Sequence, residues 1–340
     1  MLKEAIIKLI DRQDLTSDES RAIMEQIMSG DGSAVQIAAY LTALRQKGET
    51  SAEIMGSAQA MRENAIRVNH HQPLLFDNCG TGGDGAGTFN ISTTASFVLA
   101  ACGLALGKHG NRSVSSKCGS ADLLTALGAN INLTPAQIGR CIDQVGIGFL
   151  FAPNLHPAMK NVAPIRKELG FRTIFNLLGP LTNPASATHQ LIGVFDGKYV
   201  PTVAAAARSL GVKRIMVVYN QCRIDELTTA AINEVCFASN GNSENMLIDP
   251  SEFGFNKCTI EELGGGTSDE NAAITLEILQ GQKGPMRDTV ILNAAAALMV
   301  AESAGSIKDG IKMAGEAIDS GRAREKLESF IQFTNGFENA

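Results

Sequence analysis

The chain has 340 residues, of which 44% are hydrophobic and 19% are charged, so it can bury one large core or a large and a small one. Its formal net charge of -6 excludes a general attraction to nucleic acid, and an anion would need a locally built pocket. Its seven cysteines are scattered and never spaced as C-x-x-C, which excludes a disulfide framework and a zinc-finger pattern.

The chain begins with a helical region that extends to about residue 67. Leu2, Ile6 and Leu9 follow a period near 3.6, which predicts an amphipathic helix. Glu4 and Asp11 within that pattern argue against a signal peptide, and no stretch of the chain is long and apolar enough to span a bilayer. We therefore expect the protein in the cytoplasm and away from membranes.

Three further helices are predicted in this region, at 17–29, 33–47 and 51–66. Each begins with a capping box, in which a hydroxyl and a side chain three residues later satisfy free amide groups reciprocally. The three boxes join Thr16 to Glu19, Ser33 to Gln36 and Thr50 to Glu53. Nothing in this region indicates a strand.

From residue 72 onwards, short apolar runs alternate with Ala-rich helical segments, which is typical of an α/β fold. Strands are predicted at 74–76, 147–151, 191–195 and 215–219. Helices are predicted at 92–102, 120–127, 135–144, 200–210, 268–280, 289–303, 307–319 and 322–333. Strands covered by helices on both faces are mainly parallel, and ligands gather beyond their carboxyl ends. The polar segment 239–245 is interpreted as a surface hairpin tip or a mobile loop.

A glycine-rich loop, GTGGDG at 80–85, lies between a predicted strand and a predicted helix. Glycines let backbone N–H groups converge on phosphate oxygens, and the helix start adds unpaired amides. The spacing fits neither a P-loop nor a dinucleotide-binding loop. A plain tight turn would also use glycines, so this pattern alone leaves both interpretations open.

Asp84 lies inside this loop, where a carboxylate repels phosphate unless a cation intervenes. A metal ion is therefore implied. Ser92 and Thr93 stand in the first turn of the next helix, where their hydroxyls can bond phosphate or a hard cation, or simply cap the helix.

The segment 108–122 is dense in phosphate donors, with two lysines, an arginine, four serines and two glycines. So long a stretch with so little apolar anchoring is unusual for a plain connection, although a solvated polar loop is the alternative.

The run 151–185 contains Arg166 and Arg172 among several prolines. A guanidinium there can pair a small carboxylate with two hydrogen bonds, or can be an ordinary surface arginine. His156 stands beside a proline without a partner nearby in sequence, so it is interpreted as a packing histidine or, less simply, a catalytic one.

Asp225 and Glu226 follow the strand predicted at 215–219. Adjacent carboxylates at a strand's exit can ligate Mg²⁺, which prefers few carboxylates together with phosphate oxygens. An acidic pair is also common on protein surfaces.

Taken together, these features resemble the anthranilate phosphoribosyltransferases over almost the whole chain and in the family's order. The motifs are GTGGD, NIST at 90–93, KHGNRSVSS-K-x-GSAD at 108–122, APNLHPAMK at 152–160, IRKELGFRTIFNLLGPLTNP at 165–184 and DEL at 225–227. The resemblance implies transfer of the phosphoribosyl group of phosphoribosyl pyrophosphate to the amine of anthranilate, in tryptophan biosynthesis, with Mg²⁺.

The resemblance also implies an α/β fold with a small all-α N-terminal domain and a larger α/β domain with a central, mainly parallel sheet. The helical domain would comprise 1–70 and part of 163–185, and the substrate domain 72–162 and 186–335. A homodimer joined through the helical domains is implied as well.

Site residues follow by matching positions. The phosphoribosyl pyrophosphate site would comprise Gly80, Thr81, Gly82, Gly83, Asp84, Thr88, Asn90, Ser92, Thr93 and Lys108, with Ser120 touching phosphate. Magnesium positions would be Ser92, Asp225 and Glu226. Anthranilate would contact Asn111 and Arg166, with His109, Pro153 and His156 lining its pocket. No residue is assigned as a general acid or base.

Two positions depart from the family's pattern. Cys118 stands where a serine is usual, and a thiol is a poor hydrogen-bond partner. Arg223 stands where a small residue is commoner. We expect the Cys118 departure to weaken phosphate binding by about 1 kcal/mol and to leave the reaction unchanged.

Two alternatives compete with this interpretation. A pyrimidine nucleoside phosphorylase has a similar fold, but the NIST segment and the acidic pair argue against it. A non-enzymatic relative that binds nucleic acid is disfavoured by the net acidity and the intact glycine loop.

Overall fold

The computed structural model describes residues 1–113 and 117–337. Four helices fill the N-terminal region: α1 (Leu2–Ile10), α2 (Ser17–Ser29), α3 (Ala34–Lys47) and α4 (Ser51–Glu63). The capping boxes at Thr16 and Thr50 are confirmed. The box predicted at Ser33 is wrong, because the Ser33 hydroxyl accepts the Gln36 N–H but the reciprocal bond is not formed. The caps at Thr16 and Thr50 coincide with the starts of α2 and α4.

The remainder of the chain forms the predicted α/β unit, apart from an excursion between the third and fourth strands that packs with the N-terminal helices. Its strands are β1 (Phe76–Asn78), β2 (Leu106–Gly110), β3 (Ile147–Phe151), β4 (His189–Gly193), β5 (Arg214–Asn220), β6 (Asn233–Ser239) and β7 (Asn242–Ile248). Its helices are α5 (Ile91–Ala101), α6 (Ser120–Ala126), α7 (Pro135–Val145), α8 (Ala152–Leu155), α9 (Ala163–Leu169), α10 (Phe175–Leu178), α11 (Tyr199–Ser209), α12 (Ser268–Leu279), α13 (Pro285–Val300), α14 (Ile307–Asp319) and α15 (Arg322–Asn335). None of the helices among the described residues could cross a membrane.

One sheet joins the described strands in the order β3-β2-β1-β4-β5-β6-β7. The first five are mutually parallel, and β6 and β7 form an antiparallel hairpin at one edge. The predicted, mainly parallel sheet is therefore confirmed. The polar segment 239–245 is a hairpin tip, in which Asn240 and Gly241 both have positive φ, as a two-residue hairpin turn requires.

The chain leaves the sheet after β3 and runs among the N-terminal helices before it returns at β4. Asn161 donates from Nδ2 to the Met28 carbonyl at 2.7 Å, and Arg62 donates from Nε to the Leu181 carbonyl at 2.6 Å. Val162 and Leu178 share an apolar core with the N-terminal helices. The helical part thus includes this excursion, and the domain boundaries near residues 70, 163 and 185 stay a prediction.

Candidate active site

The predicted site residues gather at the carboxyl ends of the central strands. The strand order reverses at β1, which has β2 on one side and β4 on the other. In an open parallel sheet such a reversal leaves a crevice, because the connections leave in opposite directions. The glycine loop follows β1, the segment with Lys108 belongs to β2, and the acidic pair follows β5.

The glycine loop packs directly against Asp225. The Gly82 N–H donates to Asp225 Oδ2 at 2.6 Å. A Cβ on Gly80 would lie 2.1 Å from that same oxygen, and a Cβ on Gly193 would lie 1.7 Å from the Asp225 carbonyl oxygen. Both glycines are therefore required for this packing. Gly82 and Gly83 also have φ of +69°, which L-residues rarely adopt.

Three carboxylates crowd this point. The Asp225 N–H lies 3.4 Å from Asp84 Oδ2. Burial, followed by the charges of Asp84 and Glu226, raises the pKa of Asp225 well above its ordinary value. Burial also raises the pKa of Glu226 to about 7, against the opposing effect of Lys108. Burial is the largest cause of both shifts, and the nearby carboxylates add to it.

The start of α5 and Lys108 complete the cluster. The Ser92 N–H donates to Glu226 Oε1 at 3.2 Å. Lys108 is almost fully buried, and its Nζ donates to the Asn78 carbonyl at 2.5 Å and to Ser92 Oγ at 3.3 Å. Asn90 is the N-cap residue of α5, and Thr93 lies buried in its first turn. An ammonium group and a helix start thus face the glycine loop, as an anion site needs.

The donor set fits a hard divalent cation. Ser92, Asp225 and Glu226 offer one hydroxyl and two carboxylates, and the raised carboxyl pKa values would fall beside added positive charge. Within 1–113 and 117–337, no three carboxylate, histidine or cysteine side chains form a complete metal shell. Mg²⁺ binds one or two carboxylates and takes its other oxygens from water and phosphate.

Two neutral histidines lie together beside this cluster. His109 and His156 are both buried, and their ring centroids are 5.2 Å apart. Burial lowers the pKa of His109 to about 3 and that of His156 to about 4, so both are uncharged at neutral pH. His109 Nδ1 lies 3.0 Å from the Gly179 carbonyl, which makes Nδ1 the protonated nitrogen. Neither Nε2 has a partner among the described residues.

The predicted anthranilate residues are only partly connected. Asn111 is exposed and bonds to Ser120, whose Oγ accepts the Asn111 N–H at 3.2 Å. Arg166 is half-buried in α9, with its guanidinium 5.3 Å from the Phe175 ring centroid, and burial lowers its pKa. Among the described residues, no side chain or backbone group forms an ion pair or hydrogen bond with the Arg166 guanidinium. Pro153 lies exposed in α8.

The rest of the segment 108–122 includes residues 114–116, which lie outside the described residues, so the predicted serine donors there are not placed. Thr88 forms an isolated antiparallel bridge with Gly264 near the glycine loop.

The structure shows the surroundings of Cys118 and Arg223, the two positions that depart from the family's pattern. Cys118 Sγ lies 3.3 Å from Asn90 Oδ1, and the Asn90 amide donates to the Cys118 carbonyl at 3.3 Å. The thiol thus bonds a residue of the predicted phosphate site. Arg223 has φ of +61°, a left-handed conformation that glycine adopts more readily than a residue with a side chain.

Several residues of the site are not predicted from the sequence. Asp77 and Asn183 are buried and hydrogen-bonded to each other at 2.8 Å between Asn183 Nδ2 and Asp77 Oδ2. Asn78 supplies the carbonyl for Lys108 and bonds Ser92 and Ser96 through its side chain. A polar pair, Asp77-Asn78, inside a buried strand was the available indication.

Fold and site together define a class, a glycosyl transferase with a helical bundle and an α/β domain. Residues 3–65 match the glycosyl transferase family, helical bundle domain, and residues 72–324 match the glycosyl transferase family, a/b domain. These two matches cover most of the chain and agree with the observed architecture.

Within that class, the chain belongs to the anthranilate phosphoribosyltransferase family. It is 50% identical to anthranilate phosphoribosyltransferase of Methanobrevibacter smithii, over 98% of this chain and 100% of the relative. The crystal structure of the Thermus thermophilus enzyme superposes with a TM-score of 0.92 at 42% identity, covering 97% of this chain and 99% of that one. The Saccharomyces cerevisiae enzyme in complex with phosphoribosyl pyrophosphate and Mg gives 0.90 at 28% identity, covering 98% of each chain.

Proposed function

We infer that this chain transfers the phosphoribosyl group of phosphoribosyl pyrophosphate to the amine of anthranilate, giving N-(5-phosphoribosyl)anthranilate and pyrophosphate in tryptophan biosynthesis. Relatives with that name match it from end to end. The observation that carries the inference is the glycine loop seated on Asp225, with Lys108 and the start of α5 facing it. These groups are suited to a diphosphate ester and a divalent cation.

Phosphoribosyl pyrophosphate would lie over the glycine loop. Its phosphates would accept hydrogen bonds from the free backbone N–H groups of that loop and from the hydroxyls at the start of α5. Lys108 is already placed beside Ser92, so its ammonium group needs no long movement to reach a phosphate oxygen. The residues we assign to this substrate are Gly80, Thr81, Gly82, Gly83, Asp84, Thr88, Asn90, Ser92, Thr93, Lys108 and Ser120.

We assign Mg²⁺ to Ser92, Asp225 and Glu226. When bound, Mg²⁺ supplies the positive charge that offsets both these acids and the leaving pyrophosphate. The acids explain why a metal ion is needed, because a polyanion would not bind beside Asp84, Asp225 and Glu226 without a compensating cation.

We assign anthranilate to Arg166 and Asn111. Arg166 is held against the Phe175 ring and has no carboxylate partner among the described residues, so its guanidinium is free to bind the anthranilate carboxylate with two hydrogen bonds. His109 and His156, both neutral, would line the pocket together with Pro153. A neutral lining avoids placing a positive charge beside the sugar carbon, which becomes positive in the transition state.

The reaction needs little proton transfer by the protein. An aromatic amine is unprotonated at neutral pH, so it can attack C1 of the ribose without a strong general base, and positioning supplies the acceleration. The low pKa of His109 agrees with this, because an imidazole that titrates near 3 is a weak base. The helical and α/β parts would close over the substrates to exclude water from the reactive sugar.

We further propose a homodimer through the helical domains. Ile7 and Ile10 on α1 and Val35 on α3 are 60%, 67% and 79% exposed, and α1 and α3 pack against each other. An apolar surface of this kind is typical of a subunit interface.

All seven cysteines are free thiols, which suits a reducing compartment, and we place the protein in the cytoplasm.

The test is an anthranilate fluorescence assay. Purified protein with phosphoribosyl pyrophosphate and Mg²⁺ should consume the fluorescence of anthranilate, and EDTA should stop the reaction. Parallel incubation with thymidine and phosphate should release no base. Released thymine without anthranilate consumption would replace the proposal by a nucleoside phosphorylase, and a salt-dependent gel shift with DNA would indicate a nucleic-acid-binding protein.

A further inference from the structure

The two central strands β1 and β2 separate after a single pair of residues. Phe76 is in register with Leu106, and the ladder stops there, whereas β1 stays paired with β4 through Asn78. In a parallel ladder the residues that face one neighbour alternate. Continuing the ladder would therefore bond the backbone of Asn78 to the Gly107 carbonyl and the His109 N–H.

Two side chains take those bonds instead. Asp77 Oδ1 accepts the His109 N–H at 3.2 Å, and Asn183 Nδ2 donates to the Gly107 carbonyl at 2.7 Å. The two side chains also bond each other, and the Ala185 N–H donates to Asn183 Oδ1 at 2.9 Å. Both residues are buried, Asp77 completely. The Gly107 carbonyl and the His109 N–H, which β1 has left, are thus both satisfied, and this removes the penalty of leaving them unpaired.

The separation leaves the Asn78 carbonyl free for Lys108. That carbonyl accepts from Lys108 Nζ at 2.5 Å, and the same ammonium group bonds Ser92 Oγ. Had the ladder continued, the carbonyl would have been occupied by the His109 N–H. The position of the Lys108 ammonium group therefore depends on the gap between the strands.

Asn183 also ties the gap to the chain returning from the helical part. Within residues 179–183, the Gly179 carbonyl bonds His109 Nδ1, and the Leu181 carbonyl accepts from Arg62 Nε of α4. These two bonds hold the segment from which Asn183 reaches the sheet.

We infer that Asp77 and Asn183 act together as positioning residues, which hold β1 and β2 apart so that Lys108 is aimed at the pyrophosphate of the substrate. This inference rests on the proposed function, because it concerns how that function's Lys108 is held. Neither side chain is assigned a contact with the substrate.

A double-mutant cycle tests the pair. In Asp77→Asn, one of the two acceptor oxygens becomes an amide donor, so Nδ2 meets either the Asn183 Nδ2 or the His109 N–H, and two donors face each other in both cases. In Asn183→Asp, two buried carboxylates face each other and the Gly107 carbonyl. The double variant restores one donor and one acceptor between positions 77 and 183. The control is Thr334→Val in α15, which removes a buried hydroxyl that accepts the Asn130 N–H at 3.2 Å.

The readouts are the Kd of phosphoribosyl pyrophosphate with Mg²⁺, measured by calorimetry, and its KM, with circular dichroism to confirm folding. We expect Asp77→Asn to raise both about tenfold, since a buried hydrogen bond is replaced by a repulsive contact. Asn183→Asp should raise them further, and the double variant should bind more tightly than Asn183→Asp alone. Thr334→Val should lose stability and keep both constants.

The inference is overturned if the two substitutions add within about a factor of two, as independent sites do, or if Asp77→Asn keeps wild-type constants. Should Asn183→Asp not fold, the comparison of Asp77→Asn with Thr334→Val still tests whether Asp77 positions Lys108. An inactive wild-type enzyme would instead contradict the proposed function, so the two failures are distinguishable.

Discussion

Replacing Glu226 with glutamine should flatten the dependence of stability on pH. Burial raises the pKa of Glu226 from 4.5 to about 7 in the folded chain, so the folded state binds this proton more tightly than the unfolded state. The proton's contribution to stability is fully present below pH 4.5. It is lost as the pH rises towards about 7, because the folded protein must then hold a poorly solvated charge.

The size of the effect follows from linkage. The difference between a pKa of about 7 and one of 4.5 corresponds to about 3 kcal/mol. For a chain of this length the entropy of unfolding is about 0.7 kcal/mol/K, so the apparent Tm of the wild type should fall by about 4 °C relative to Glu226→Gln between pH 4.5 and 8. Mg²⁺ should recover most of that loss in the wild type.

Differential scanning fluorimetry of both proteins, in EDTA and at matched ionic strength, measures this difference. Comparison with the variant removes the contribution of the other carboxylates, which titrate in both proteins. If the Tm of the wild type and that of Glu226→Gln changed equally with pH across this range, Glu226 would not be a buried acid that binds a cation.

Four substitutions test other parts of the site. Lys108→Met should lower kcat/KM about 100-fold, because the leaving pyrophosphate loses a donor that stabilises its charge. Steady-state kinetics measures this, and an unchanged kcat/KM would show that Lys108 plays no part. Arg166→Ala should raise the KM for anthranilate at least about tenfold, whereas the control Arg172→Ala should change it little; equal effects would disprove the assignment. Cys118→Ser should tighten phosphoribosyl pyrophosphate about fivefold by calorimetry, because a hydroxyl bonds Asn90 better than a thiol does, and weaker binding would contradict this. Ile10→Glu should give a monomer by sedimentation, and a persisting dimer would exclude the α1 surface as the interface.

Local chemistry was enough to predict most helices and several strands. The capping boxes at Thr16 and Thr50 fixed helix starts to within a residue, because a cap satisfies its own helix without help from the rest of the fold. Strand β2 was not predicted. Its sequence, LGKHG, carries a lysine, a histidine and two glycines, and it becomes a central strand through pairing with β3 and packing of the sheet.

The candidate site likewise contains features that the local sequence predicts and features that depend on the whole fold. The glycine loop and the acidic pair were predicted because their chemistry is visible within a few residues, and the structure adds the contact between Gly82 and Asp225, 143 positions apart. The Asp77–Asn183 pair spans 106 positions, and only the return of the chain after its helical excursion brings the two side chains together. The left-handed backbone at Arg223 was likewise invisible, because arginine gives no sign of positive φ.

Calorimetric titration of phosphoribosyl pyrophosphate into the wild-type protein, with Mg²⁺ and then with EDTA, measures whether the site binds this diphosphate through a divalent ion. A diphosphate bound over the glycine loop beside Asp84, Asp225 and Glu226 needs a divalent ion, so we expect saturable heat with Mg²⁺ and at least about 100-fold weaker binding in EDTA. Equal affinity under both conditions, or no heat in either, would contradict the account.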